Sequence, residues 1–214
     1  MFYLTGSVTG VRESLDARRI GFMKTPNITN LLLDGWVWAA DTGCYGNAYV
    51  GDERWFSWLS SFPASQREDC LFATAPDVVG DAGATLERSL PWLEPIRSLG
   101  YPVAYVAQDG VSEASVPWDA MDVLFIGGTT KWKLSEATYG LIDAAHARGK
   151  HVHVGRVNSR RRYLAFAAHG VRSADGTFIS FGPDIRGPEL LGWIDHHENN
   201  PTLFQEVRDE APER

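Results

Sequence analysis

Six times along this chain a short apolar run ends in an acid, an amide, an arginine or a glycine pair, and a turn follows at once. The runs are WVWAADTG (36–43), LFATAPDVVG (71–80), VAYVAQDG (103–110), VLFIGGT (123–129), HVHVGRVNS (151–159) and VRSADGT (171–177). Val, Phe and Trp in such runs suit buried strands, while Asp, Asn, Gly and Pro directly after them suit turns. Two earlier runs, FYLTGS (2–7) and IGFMKT (20–25), the second stopped by Pro26, bring the strands to eight. Strand and helix alternating eight times implies one right-handed parallel (β/α)8 barrel of the TIM type, at the short end of the size range for that fold.

The intervening segments carry helical spacing. Residues 11–19 read as a short helix or loop, and 52–61 as a helix whose Trp55, Phe56, Trp58 and Leu59 pack into the core. After the fourth strand, Leu86, Leu90, Leu93 and Ile96 fall on one helical face, with a kink expected at Pro91 and a stop at Gly100. A helix capped by Ser135 should turn Ala137, Leu141, Ala144 and Ala145 inward and end at Gly149. Helices over 159–169 and 188–198 complete the set. The barrel is expected to occupy 1–194, with 195–214 a polar, acidic, loose tail.

At 44% hydrophobic residues in 214 the chain can bury a full core. Cys44 and Cys70 are too few for a structural zinc cluster, and no cofactor or metal is expected. With no signal-like N-terminus or long apolar span, the expectation is a soluble, cytoplasmic chain with reduced thiols and no membrane partner. The net charge of −7 lowers the odds of a nucleic-acid partner, yet residues 195–214 hold six acids against two bases and carry −4 of it. A body at −3 leaves room for a local basic patch.

Active sites of such barrels lie at the C-terminal ends of the strands. The residues falling there are Asp41, Asp77, Gln108, Gly127 with Gly128, Arg156 and Asp175. Asp81 and Asp184 read instead as turn or cap residues. His151 and His153 share one face of the seventh strand, directed to the barrel interior or to the helix layer, and read as packed, neutral histidines rather than metal ligands. His196 and His197 read as solvated, and Cys44 as packing. Arg160, Arg161 and Arg162 crowd the first turn of a helix capped by Asn158 or Ser159, where they oppose the macrodipole. They are either a phosphate site, joined by Arg156, or a solvated arginine face.

In their order along the chain, these strand ends resemble the tRNA-guanine transglycosylase family, in the shorter phage and bacterial branch that places 7-deazaguanine bases into DNA. The resemblance covers residues 2–181. GVRSADGT (170–177) is similar to the family's nucleophile strand, with Asp175 in the nucleophile position; ADTG (40–43) resembles its Asp-Ser-Gly stretch and implies an acid/base role for Asp41. Asp77, Gln108, Gly127 and Gly128 look like its base-recognition residues. The zinc-binding insertion of the tRNA-acting members needs more cysteines than this chain has, so DNA is favoured over tRNA.

The resemblance implies that guanine in nucleic acid is exchanged for a 7-deazapurine base through a covalent Asp175–glycosyl intermediate, in the host cytoplasm if the chain is phage-encoded. A partner protein or a second copy of the chain is compatible with it. Two other readings are hydrolysis of the same N-glycosidic bond by a DNA glycosylase or nucleoside hydrolase, and a non-catalytic nucleotide- or base-binding barrel.

Overall fold

A computed structural model describes residues 1–6, 19–28, 32, 35–46 and 49–200. Its strands are β1 (Phe2–Thr5), β2 (Ile20–Lys24), β3 (Trp38–Ala40), β4 (Cys70–Thr74), β5 (Val103–Ala107), β6 (Val123–Ile126), β7 (His151–Val154) and β8 (Ser173–Gly176). They pair in parallel in chain order, and β8 closes on β1 to make the expected barrel. The helices are α1 (Asp52–Ser60), α2 (Ala64–Glu68), α3 (Ala82–Ser98), α4 (Thr130–Lys133), α5 (Glu136–Ala147), α6 (Arg160–Ala168) and α7 (Pro183–Asn199). The helix or loop expected over 11–19 lies, apart from Arg19, outside the described residues.

Strand alternation divides the core into inside and outside. Leu4, Met23, Ala39, Phe72, Ala104, Val106, Val123 and Phe125 form a cluster drawn from strands alone, which is the packed barrel interior. Residues of opposite parity, such as Tyr3, Tyr105, Leu124 and Val152, pack outward on helix residues including Leu141, Tyr163 and Trp193. Trp38, Trp55, Leu59 and Leu93 form a second outward cluster under α1 and α3. As expected for the aromatic helix, Trp55 and Leu59 are fully buried, with Trp58 tilted against Trp55.

Several local expectations need correction. The β5–β6 connection holds no α-helix: it makes two 3-10 turns, Glu113–Ser115 and Trp118–Ala120, separated by a segment containing Pro117, whose missing N–H interrupts helical bonding. The buried face of α3 is Thr85, Ser89, Leu93 and Ile96, and Leu90 is 48% exposed. Hydroxyls set that rotation: Thr85 Oγ1 donates to the Val78 carbonyl at 2.9 Å and Ser89 Oγ to that of Pro76 at 2.8 Å. In α5, Ser135 is the cap, accepting from the Thr138 N–H, but Ala137 is exposed and Thr138 takes the inward position.

At the C-terminal end, α7 starts earlier than expected because Pro183 suits a helix's first turn. It also runs on through Asn199, so 195–199 is helix rather than loose tail. Arg19 bridges Asp195 at 2.5 Å and Glu198 at 3.4 Å. His197 shares the buried stripe of Leu190, Trp193 and Ile194, so it is packed, not solvated. Residues 201–214 lie outside the described residues. Among the described residues no helix is long and apolar enough to cross a membrane.

Gly21 shows how tightly the interior is filled. A Cβ there would stand 2.3 Å from the Val37 carbonyl oxygen and 2.7 Å from the Phe2 ring. That carbonyl accepts the Phe22 N–H in the β2–β3 ladder, so it cannot yield without breaking the sheet. Gly21→Ala should therefore destabilise the barrel by roughly 1–3 kcal/mol, read as a lower urea midpoint with an unchanged slope. An unchanged midpoint would contradict this packing.

Candidate active site

The same alternation that fills the interior carries its polar residues to one end. Two residues beyond each interior position the chain reaches Asp41 after Ala39, Gln108 after Val106, Gly127 after Phe125, Gly155 after His153 and Asp175 after Ser173. All of these but Ala39, His153 and Ser173, together with Asp77, Gly128, Arg156 and Tyr45, line one cavity of about 200 Å3. The expected acid, amide, diglycine and Arg156 positions thus meet at a single mouth. Arg160, Arg161 and Arg162 do not reach it.

Asp41 is held at the lip of β3 by its N–H, which donates to the Lys24 carbonyl at 2.7 Å, and by the Thr74 hydroxyl 3.4 Å from its Oδ1. Burial, followed by the charges of Asp77 and Asp175, pushes its carboxyl up to about 7. Burial likewise raises Asp77, against a 2.6 Å hydrogen bond donated by Gln108 Nε2 to its Oδ2. A carboxyl that takes up and releases a proton near neutrality is suited to general acid/base work.

Gln108 is buried, and its orientation is imposed from three sides. Its Oε1 accepts the N–H groups of Gly80, at 3.1 Å, and Gly128, at 3.0 Å, while its Nε2 faces Asp77. The diglycine is required sterically. A Cβ on Gly127 would stand 2.9 Å from Val106 and 3.0 Å from the Gln108 amide, and Gly128 has φ +64°. Gly155 likewise keeps space open, since a Cβ there would meet Phe125 at 2.8 Å.

Asp175 lies within β8, a little beyond the expected strand end at residue 174, and both its oxygens have partners. Oδ1 stands 3.0 Å from His153 Nε2, and Oδ2 accepts the Arg156 N–H at 3.3 Å. Arg156 takes the left-handed conformation at φ 58°, unusual for a side chain of this size. Its guanidinium bonds the Gly128 carbonyl and lies 4.3 Å over the ring of Tyr45, which is 66% exposed at the rim.

The remaining arginines sit at the start of α6 as expected, but the capping differs. Ser159 is at the cap position without making a cap bond, because its Oγ accepts from Arg162 Nε at 3.1 Å; Asn158 instead accepts the Thr177 N–H. Arg161 and Arg162 line a separate recess of about 400 Å3 with Tyr139 and Ser159. Arg162 also donates to the Arg156 carbonyl at 3.2 Å.

Several residues were given no role at the mouth from sequence. His153 is the main one: the HVHV alternation puts it on one face of the strand with His151 without saying which face turns inward, and only the β7–β8 register, His153 opposite Ser173, reveals its place behind Asp175. Lys133 is 2% exposed, donates to the Gly155 carbonyl at 2.5 Å, and is lowered to about 8 by burial and then by Arg156. Tyr45, two residues past the turn glycine, carried no periodicity that would mark it. Cys44 is partly buried, and burial pushes its thiol up, consistent with packing rather than nucleophilic use.

No protein-family model and no curated protein matches this sequence. Among solved structures, the chain is similar to one in the Amycolatopsis orientalis BexX/CysO complex, at TM-score 0.55 and 16% identity over 94% of this chain and 92% of that one. It is more distantly similar to the Bacillus subtilis YkuI protein, which has an EAL domain and was solved with c-di-GMP and calcium, at TM-score 0.45 and 14% identity over 78% of this chain. This chain spans only 45% of that one. A 3-hexulose-6-phosphate synthase follows at TM-score 0.43 and 12% identity, covering 73% of each chain. At these identities the likeness is one of fold.

The raised Asp41 carboxyl makes stability depend on pH. Unfolded, it releases its proton near the ordinary aspartate value of 3.8; folded, it holds it to about 7. Between those values the folded state binds more protons, so raising the pH erodes stability. The stability of the wild type relative to Asp41→Asn should therefore fall as pH rises from about 4 to 7, measured by urea unfolding of both proteins across that range. A pH-independent difference would show that Asp41 titrates normally.

Proposed function

We propose that this chain is a transglycosylase that replaces guanine in DNA with a 7-deazaguanine base through an Asp175–glycosyl intermediate. The observation that carries the reading is the pairing of unlike carboxyls on one small cavity: Asp41, poised to exchange a proton near neutral pH, and Asp175, hydrogen-bonded on both oxygens. Two carboxyls whose surroundings differ in this way divide naturally into acid/base and nucleophile. The cavity is smaller than the roughly 300–1,000 Å3 of drug-sized pockets, which suits a single planar base.

In the first half-reaction an oxygen of Asp175 bonds to the anomeric carbon C1′. The glycosidic bond breaks, its electron pair goes to the base nitrogen, and Asp41 supplies the proton. In the second, the N–H of the incoming base gives its proton to Asp41, the nitrogen bonds to C1′, and the electron pair of the ester C–O bond returns to Asp175. Asp77 and the polar atoms around Gln108, Gly127 and Gly128 read the base edge, with Gln108 acting chiefly by holding Asp77 and Gly128 in place. A target in duplex DNA must leave the stack to reach the mouth. Arg156 at the rim and Arg160, Arg161 and Arg162 beyond it supply positive charge for the phosphates.

With DNA and a labelled deazapurine, Asp175→Asn should abolish both base exchange and the covalent protein–DNA adduct, the amide being nearly isosteric but non-nucleophilic. Asp41→Asn should still form adduct while exchange falls by roughly a hundred- to ten-thousand-fold. Mass spectrometry of the protein and of the digested nucleosides reads both. Adduct in Asp175→Asn would remove Asp175 from the nucleophile role, and abasic product without exchange would favour hydrolysis.

Neutralising Arg160, Arg161 and Arg162 together to Gln should weaken DNA binding and flatten its dependence on salt. The slope of log affinity against log salt should shrink by roughly 0.9 for each phosphate left without its arginine. An unchanged slope would leave these side chains as a solvated face.

A further inference from the structure

Four side chains form one continuous hydrogen-bonded file down the barrel interior. His151 and His153 alternate on β7, Ser173 and Asp175 on β8, and the register sets His153 beside Ser173. His151 Nε2 is 2.7 Å from Ser173 Oγ, Ser173 Oγ is 2.8 Å from His153 Nδ1, and His153 Nε2 is 3.0 Å from Asp175 Oδ1. His153 and Ser173 are completely buried, and the imidazole of His153 is wedged between the rings of Phe72, at 4.8 Å, and Phe125, at 4.5 Å.

With Asp175 ionised, as its nucleophile role requires, and His153 neutral, only one assignment of protons satisfies this file. The Asp175 carboxylate has no proton to give, so His153 must donate from Nε2. Burial pushes His153 toward its neutral form, which leaves Nδ1 as an acceptor. Ser173 must therefore donate its one hydroxyl proton to Nδ1, and His151, also lowered by burial to about 3, must donate from Nε2 to Ser173 Oγ. Each donor fixes the next, from the partly exposed His151 to Asp175.

From this geometry we infer that His153 is a positioning residue that reserves Asp175 Oδ1, leaves Oδ2 to attack C1′, and stabilises the carboxylate as it departs in the second half-reaction. The inference rests on the base-exchange reading given above. In the glycosyl ester Asp175 carries no charge; when the C–O bond breaks, negative charge returns to its oxygens. A preorganised N–H aimed at Oδ1 strengthens as that charge develops, as oxyanion donors do. Ser173 and His151 serve to keep that N–H on Nε2.

The test uses the full-length protein and has two arms. With DNA and base, His153→Leu should lower turnover roughly a hundred- to a thousand-fold while the fraction of protein held as covalent adduct rises, because departure is slowed more than attack. His153→Gln, whose amide N–H can reach the place of Nε2, should recover most of the turnover and return the adduct to its wild-type level. A merely structural histidine would depress adduct and turnover together, with no rescue by Gln, and that result would overturn the inference.

The second arm needs no substrate. Nitrogen NMR of the wild type should show His153 neutral and protonated on Nε2 alone, with Ser173→Ala allowing the Nδ1–H form to appear. A doubly protonated or Nδ1–H His153 in the wild type would overturn the inference whatever the fate of the leucine variant. Failure of the base-exchange reading looks different: the wild type forms no adduct, while the NMR arm still reports on the file.

Discussion

Closure of the sheet between β1 and β8 is the constraint on which everything at the mouth depends. The seam pairs Phe2 with Ser173, Leu4 with Asp175 and Thr5 with Gly176. It is packed without slack: Tyr3 Oη donates to the Val157 carbonyl at 3.0 Å, and a Cβ on Gly176 would stand 2.3 Å from that same hydroxyl and from Asn158 Oδ1. A closed barrel has no edge strand to slip. The period-2 alternation of each strand is thereby locked to one interior, and Asp41 from β3 and Asp175 from β8 share a cavity although 134 positions separate their residue numbers.

Carboxyls gathered at one mouth repel each other and resist ionisation, and the structure meets that cost unevenly. Asp77 has the Gln108 amide, and Asp175 has His153 and the Arg156 N–H. Among the described residues Asp41 has only a long bond from Thr74 besides the backbone near Gly43, and so takes most of the strain as a raised affinity for protons. The chemistry proposed for the pair follows from that asymmetry. Arg156 contributes through its backbone, its left-handed conformation aiming the N–H at Asp175 while the guanidinium spans to Gly128 and Tyr45.

Local pattern alone determined much of this protein. Apolar runs ending in Asp, Gln or Gly-Gly locate the strands to within a few residues and carry Asp41, Asp77, Gln108, Gly127, Gly128, Arg156 and Asp175 to one end of a barrel, because strand parity and the turn that follows are short-range properties. Tertiary structure decided what parity leaves open. Inside and outside of β7 are equivalent until the barrel closes, so His153 becomes a partner of Asp175 only through the β7–β8 register. Hydroxyls of Thr85 and Ser89 outweigh Leu90 in orienting α3 because the turn after β4 folds the Val78 and Pro76 carbonyls back against that face of the helix. The proton affinity of Asp41 likewise depends on burial and on two carboxylates, Asp77 from the loop after β4 and Asp175 from β8, a sum over distances that no single stretch of sequence contains.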